Sequence, residues 1–341
     1  MAERWSMEGW RDDELERVEA CPVCGSVESD EAYAALADAL EGVPGRWPMR
    51  RCRSCVSFYL SVRPTRDAIG KAYASYYTHG DSASAFVQDN GQSLLWRWSN
   101  DYMNARFGAR RVPASRPGRW LLPCVPPLRQ QLDFFYRHLP GTPGSLLDVG
   151  CGHGVFLLRA QAAGWRVHGL EPDASAVGAA RRAGLEVTQG TLDTFSHAAH
   201  FDVVTASHVI EHVHDPLAFL RRACDALRPG GTLWLATPNA NSAGHQRYGA
   251  DWRGLEPPRH LVVMAPSALE ALLDRAGFER IRAHRRGRGS RYILQASAEV
   301  ARQRGNAVRP LPPHRVDVLA SLGVYWGEEY IVTARKPEHR A

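Results

Sequence analysis

Leu146-Leu-Asp-Val-Gly-Cys-Gly-His-Gly154 is the stretch on which the reading of this chain turns. Ser145 to Val149 is short and mostly apolar, as a buried strand is. Gly150, Gly152 and Gly154 then let the backbone turn tightly and approach a ligand without Cβ clashes. Val155 to Ala163 has the spacing of an amphipathic helix and stops at Gly164. The free N–H groups at the start of that helix face the turn.

The same alternation continues on both sides. Leu128 to Leu139 reads as a helix before the strand. After it come a strand at Arg166–Leu170, a helix at Ala174–Ala183, a strand at Phe201–Ala206, a helix at Leu217–Leu227 and a strand at Thr232–Ala236. Ser267 to Ala276 is a further helix, and Phe278–Ala283 and Glu329–Ala334 are two closing strands, with an Arg-rich insertion of helix plus loop between them. Strands alternating with helices predict an α/β chain with a doubly wound, mostly parallel sheet.

Two ligand classes suit such a glycine turn. A dinucleotide needs G-x-G-x-x-G, but position 155 is Val, so the spacing here is G-x-G-x-G. Asp148, just ahead of the first glycine, suits a cationic ligand such as the amino group of S-adenosyl-L-methionine (SAM), and disfavours a pyrophosphate. Glu171, at the end of the next strand, can accept both hydroxyls of a ribose.

The ordered series of Asp148-Val-Gly-Cys-Gly-His-Gly154, Gly169-Leu-Glu-Pro-Asp173, Phe201-Asp-Val-Val204 and Leu227-Arg-Pro-Gly-Gly-Thr-Leu233 resembles the class I SAM-dependent methyltransferases. The resemblance covers roughly Leu128 to Pro337. It implies a Rossmann-like, seven-stranded domain. It places Asp148, Gly150 and Gly152 at the methionine end of SAM, Glu171 on the ribose and Pro172 beside the adenine, with Cys151, Gly154, Thr191, Leu192 and Ser207 completing the cofactor set. Many relatives have Gly-Asp where this chain has Gly190-Thr191, so the carboxylate near the adenine is missing or shifted to Asp193.

Methyl transfer from a sulfonium is an in-line displacement, and a base helps when the acceptor is a hydroxyl or an acidic carbon. Three histidines are candidates. His208 and His212 lie in Ser207-His-Val-Ile-Glu-His-Val-His-Asp-Pro216, after the fourth strand, where ligands bind in such sheets. At i, i+3 and i+4, His208, Glu211 and His212 are expected to share one helical face. The literal H-x-x-E-H match to inverted zinc proteases is set aside, because it follows a strand inside the cofactor series. His260, in Trp252-Arg-Gly-Leu-Glu-Pro-Pro-Arg-His-Leu261, is the leading candidate; sugar C-methyltransferases that this chain resembles have a His there, preceded by a Glu that is Arg259 here. Tyr248, Arg253 and Arg259 are candidates for holding an anionic group of the substrate. No Asn/Asp-Pro-Pro-Tyr/Phe follows the fourth strand, which disfavours methylation of exocyclic amines.

Ahead of this lie Cys21-Pro-Val-Cys24 and Cys52-Arg-Ser-Cys55, two C-x-x-C knuckles. Each aims two thiolates at one point, and together they make a tetrahedral set for a structural Zn²⁺. Asp30 to Leu40 is expected to be a helix filling the gap. The organisation expected is a zinc module at 1–60, a helical connector or lid at 61–125 carrying Tyr73, Tyr76, Tyr77, Phe86, Trp96, Trp98, Tyr102 and Phe107, and the methyltransferase domain at 126–337.

Of the 341 residues 44% are hydrophobic and 23% charged, with a net charge of +6. That composition supports a real core, and the mild basicity is compatible with an anionic acceptor. No apolar run approaches the roughly eighteen residues of a membrane span, and no signal-peptide layout opens the chain; a cytoplasmic enzyme acting on a small molecule, a sugar nucleotide or secondary metabolite, is expected. The alternative is a ribosomal-RNA methyltransferase using the cysteine module to grip RNA.

Overall fold

The structure, a computed structural model, describes residues 7–74, 93–196 and 199–338. Trp5, Tyr76, Tyr77 and Phe86 lie outside the described residues. The N-terminal part contains β1 (Leu15–Arg17), β2 (Ser29–Leu36), β3 (Trp47–Cys52), β4 (Phe58–Leu60) and β5 (Val62–Pro64). The connector carries α1 (Leu94–Phe107) and α2 (Gly118–Leu121), and α3 (Pro126–Phe135) leads into the sheet. Then follow β6 (Ser145–Val149), α4 (Val155–Ala162), β7 (Arg166–Glu171), α5 (Ala174–Arg182), β8 (Val187–Gln189), β9 (Phe201–Ser207), α6 (Pro216–Ala226), β10 (Leu227–Pro238), α7 (Ala243–Tyr248), β11 (Val262–Val263), α8 (Pro266–Arg275), β12 (Glu279–His284), α9 (Ser290–Gln303), α10 (Pro313–Leu322) and β13 (Glu329–Arg335).

Seven strands form the main sheet in the order β12-β13-β10-β9-β6-β7-β8. β10, β9, β6, β7 and β8 run parallel, and β13 is antiparallel to both of its neighbours. From β6 the chain winds first toward β8 and then back through β9 to β10. The order therefore reverses between β6 and β9, and a crevice opens at their carboxyl ends. Every residue of β6 is buried, as expected of a strand covered by helices on both faces. The doubly wound, seven-stranded expectation holds.

Several local expectations do not. Asp30–Leu40 is no helix: β2 pairs antiparallel with β3 from Ser29↔Cys52 to Leu36↔Trp47. Pairing across the two knuckles, with Leu36 buried beside Trp47, overrides the alanine-rich helix propensity. The sequence reading also missed β8, which is three residues long, and ran a helix to Leu227, which is the first residue of β10.

The N-terminal strands do not stand apart. β4 pairs with β11, so the sheet β11-β4-β3-β2 contains a strand from beyond the main sheet's fifth strand. Leu60 N–H donates to the Leu261 carbonyl at 3.1 Å, and Ala265 N–H to Ser57 Oγ at 3.2 Å. Among the described residues no helix is long and apolar enough to cross a membrane.

Candidate active site

The three glycines of the turn all have positive φ, +68° at Gly150, +52° at Gly152 and +81° at Gly154, but they serve different ends. A Cβ on Gly150 would meet Val209 at 2.6 Å, and one on Gly154 would meet Leu185 at 2.1 Å. A Cβ on Gly152 would meet nothing within 4 Å. Gly150 and Gly154 are thus packing glycines, whereas Gly152 faces open space that a ligand could fill. The turn closes on the end of β7, with Gly150 N–H donating to the Leu170 carbonyl at 2.7 Å. Cys151 is buried there, and burial pushes its thiol pKa up.

Glu171 lies across this opening. Its carboxylate accepts from the backbone N–H of Gly152 at 2.9 Å and of Asp173 at 3.0 Å, while burial raises its pKa. One oxygen faces the glycine turn and the other Asp173, and between them they could instead accept the two hydroxyls of a ribose. Pro172 is exposed beside it, Leu192 is buried, and Thr191 N–H donates to Thr194 Oγ1. Asp193 pairs with Arg66 at 3.2 Å on the surface.

Asp148 is fully buried at the end of β6. One of its oxygens takes a hydrogen bond from Thr205 Oγ1 at 2.9 Å and an ion pair from Arg137; the other has no partner among the described residues. The Arg137 guanidinium is sandwiched between Phe156, 3.9 Å from its ring centre, and Trp234 at 5.3 Å. Arg137, in the stretch expected to continue the helix, instead enters from the left-handed turn after α3.

The segment after β9 carries the other polar groups. Ser207 ends the strand, and His208 N–H donates to the Ala236 carbonyl at 2.8 Å. His208, Glu211 and His212 were expected on one helical face. Instead His208 has φ of 55° and only Ile210–His212 form a single 3₁₀ turn. Val209 packs on Gly150, and Asp215 caps α6, so no room is left for an α-helix between them.

His208 has a carboxylate at each ring nitrogen, Glu211 at 3.2 Å and Glu329 at 2.6 Å. Glu211 is fully buried; its other oxygen accepts from Thr237 Oγ1 at 3.0 Å and its carbonyl accepts from Leu261 N–H at 2.8 Å. Burial would raise the Glu211 carboxyl, but the hydrogen bond with His208 and the neighbouring imidazoles outweigh it and hold it low.

The connection through Leu261 brings His260 beside His212, with ring centres 4.7 Å apart and planes at 69°. His212 Nδ1 lies 2.9 Å from the Arg259 carbonyl and 3.0 Å from Tyr73 Oη. His260 Nδ1 lies 2.8 Å from the Gly254 carbonyl. A carbonyl only accepts, so each Nδ1 carries the proton and each Nε2 offers a lone pair. His260 is 5% exposed, and burial pulls its pKa down to about 4; His212 is half-buried. The donor atoms of Glu211, His212 and His260 lie within 4.8 Å of one another, a spacing that could also hold a cation.

Glu256 was missed by the sequence reading, which looked for a carboxylate immediately before His260. It stands four residues earlier, 3.5 Å from His260 Nε2, in a left-handed turn after Leu255. The expectation that Tyr248, Arg253 and Arg259 hold a substrate anion is overturned. Arg259 is fully buried between Glu256 at 2.9 Å and Asp38 at 2.8 Å, Arg253 pairs with Glu256, and the Tyr248 hydroxyl is buried and accepts from Leu311 N–H.

The four knuckle cysteines converge, all four sulfurs lying within 4.8 Å of one another. Cys21 and Cys55 are 3.6 Å apart and Cys24 and Cys52 3.5 Å, far beyond a disulfide bond. A tetrahedron with Zn–S bonds of about 2.3 Å has edges of about 3.8 Å, close to these separations. Hydrogen bonding from Cys21 brings the Cys55 thiol down to about 5, while the same contact raises Cys21.

A family profile described as a methyltransferase domain matches residues 127–283. A ubiquinone biosynthesis O-methyltransferase of Shewanella sp. (strain ANA-3) is 32% identical over 163 residues, covering 43% of this chain and 68% of that protein. One from Aromatoleum aromaticum is 28% identical over 220 residues, covering 62% of this chain and 85% of the other. A solved SAM-dependent methyltransferase of Mesorhizobium loti aligns at 20% identity over 61% of this chain and 98% of its own, with a TM-score of 0.43. The glycine turn, the carboxylate of Glu171 beside it and the two ubiquinone biosynthesis O-methyltransferases together place the chain in the class I SAM-dependent methyltransferases. It is an enzyme of that class, and its cofactor is SAM.

Proposed function

We propose that this enzyme methylates a hydroxyl oxygen of a small molecule, with His212 as the general base. The observation that carries the reading is the pair His212–His260, held at the carboxyl edge of β9 by a chain of contacts that starts at the glycine turn. Val209 touches Gly150, Glu211 follows it, and Leu261 hydrogen-bonds to Glu211. Bound SAM supplies an electrophilic methyl group on a sulfonium. His212 Nε2 would take the acceptor hydroxyl's proton as its oxygen becomes methylated. His212 is favoured over His260 because it is the less buried ring and because burial leaves His260 a weak base. His260 would then position His212 and shield it from water. That two relatives are named as O-methyltransferases of ubiquinone biosynthesis supports an oxygen as the acceptor atom.

In this reading SAM lies along Gly150, Cys151, Gly152 and Gly154, with Glu171 on its ribose, Pro172, Thr191 and Leu192 around the adenine, and Ser207 near the sulfur; Asp148 supports the turn. Cys21, Cys24, Cys52 and Cys55 hold a structural Zn²⁺. The proposed divisions are a zinc-binding part at 1–60, a connector at 61–125 and the catalytic domain at 126–337. His212→Ala should lower kcat by about 100-fold, the usual contribution of a general base, and leave S-adenosylhomocysteine affinity unchanged by calorimetry. If His260→Ala does this and His212→Ala does not, the base is His260. If neither does, the reaction needs no base here. A C-methylated product from a sugar nucleotide would replace the O-methyl reading.

A further inference from the structure

A broad cleft in the described part of the molecule lies away from the glycine turn. It has a volume of about 1180 Å³ and is open on one side. Its floor is the β10, β13 and β12 part of the sheet, and its walls are α1, α2 and α3. Strand register fixes its level. Thr232, Arg335 and Glu279 pair across β10, β13 and β12, and Thr232 pairs onward with Val203 of β9. That row is at the amino-terminal side of the parallel strands, whereas the glycine turn and the His212–His260 pair are at the carboxyl side. The cleft is therefore a separate place from the methyl-transfer site.

Seven arginines line it and one carboxylate, Asp133, does. Arg119 is neutralised by Asp101 at 2.7 Å, Arg129 is 4.0 Å from Asp133, and Arg280 is 3.8 Å from Glu279. Arg106 from α1 also acts on Asp133, whereas Arg282 and Arg285 from β12 and its exit, and Arg335 from the end of β13, form no ion pair with a carboxylate among the described residues. With one carboxylate among seven guanidinium groups, this concavity carries a surplus of positive charge that an anion would offset. Guanidinium forks match phosphate oxygens two at a time. A concave wall with low-dielectric sides concentrates that potential.

We infer that this cleft binds a small, multiply phosphorylated anion at a site distinct from the methyl-donor turn. A small ligand fits better than an RNA strand for three reasons. The arginines face inward to one cleft instead of forming a stripe. The net charge of +6 is modest. The one lining tyrosine, Tyr102, is buried with its hydroxyl bound to Asp133 at 2.7 Å, so it offers no face for stacking bases.

The probe is inorganic tripolyphosphate, titrated into the full chain by calorimetry at about 0.15 M salt, where surface charge alone is screened. Binding of one equivalent is expected. Arg282→Glu combined with Arg335→Glu should weaken it by about tenfold or more, because two charge-assisted contacts become repulsive. Arg282→Gln with Arg335→Gln should weaken it less. S-adenosylhomocysteine affinity, unchanged in both variants, shows that each is folded and that the two sites are separate. No binding to the parent chain, or equal binding to parent and charge-reversed chains, overturns the proposal. A single-stranded RNA oligonucleotide that displaces tripolyphosphate and binds more tightly would also overturn it, and would assign the cleft to nucleic acid.

Discussion

Three glycines with positive φ look alike in the sequence, yet each meets a different neighbour. Gly152→Ala puts a methyl group into open space, so the fold should tolerate it at about 1–2 kcal/mol for the left-handed conformation, while cofactor affinity falls because the cradle is filled. Gly154→Ala carries the same backbone cost and also drives a methyl into Leu185, adding about 1–3 kcal/mol of overpacking. Thermal unfolding and S-adenosylhomocysteine titration separate the two: Gly152→Ala should lose binding and keep most of its Tm, and Gly154→Ala should lose Tm. Equal losses of Tm would show that the open space beside Gly152 has no special role. Asp148 makes the same point. Its place before the turn was legible, but its burial against Arg137 was not, because Arg137 reaches it through a left-handed turn that no periodicity announces.

At the scale of elements, α3 and β12 meet through two histidines. His138 follows α3 and His284 ends β12, and their rings lie 3.9 Å apart. Burial pulls His138 down to about 2 and His284 to about 4, each helped by a nearby positive group. Their unfolded values are near 6.5, so the unfolded chain takes up protons first as the pH falls. The stability they contribute is whole above pH 6.5 and is lost as the pH drops toward 4. The urea midpoint should therefore fall between pH 7 and pH 4.5, before most carboxylates titrate, and His284→Gln should flatten that fall. An unchanged slope would remove His284 from the account. Element type was legible for the long periodic segments, such as α5, α6 and α8. It was not for β2, where pairing with β3 decided the matter, nor for the 3₁₀ turn after β9, where packing on Gly150 did.

For the whole molecule, the cysteine knuckles and the histidine pair are one construction. β4 leaves the second knuckle and pairs with β11, two residues beyond His260. Arg275 donates to the Val23 carbonyl inside the first knuckle at 2.7 Å, and Arg259 joins Asp38 to Glu256. On the proposal that the four cysteines hold zinc, Cys52→Ser or treatment with a chelator should lower methyl transfer as well as stability, since the seam holding His260 would loosen with that site. Metal content, Tm and kcat measured on the same preparation check this; full activity in a metal-free chain would sever the link. The sequence by itself determined the doubly wound sheet, the glycine turn and its donor, and the grouping of four cysteines, because strand–helix periodicity and short fixed spacings are local properties. Only the tertiary structure decided that Arg253 and the buried Arg259 are ion-pair partners of Glu256, that Glu256 stands beside His260, and that arginines from α1, β12 and β13 share one cleft. Those side chains meet across separations of up to more than two hundred residues, and nothing local in the chain records which distant charge each will find.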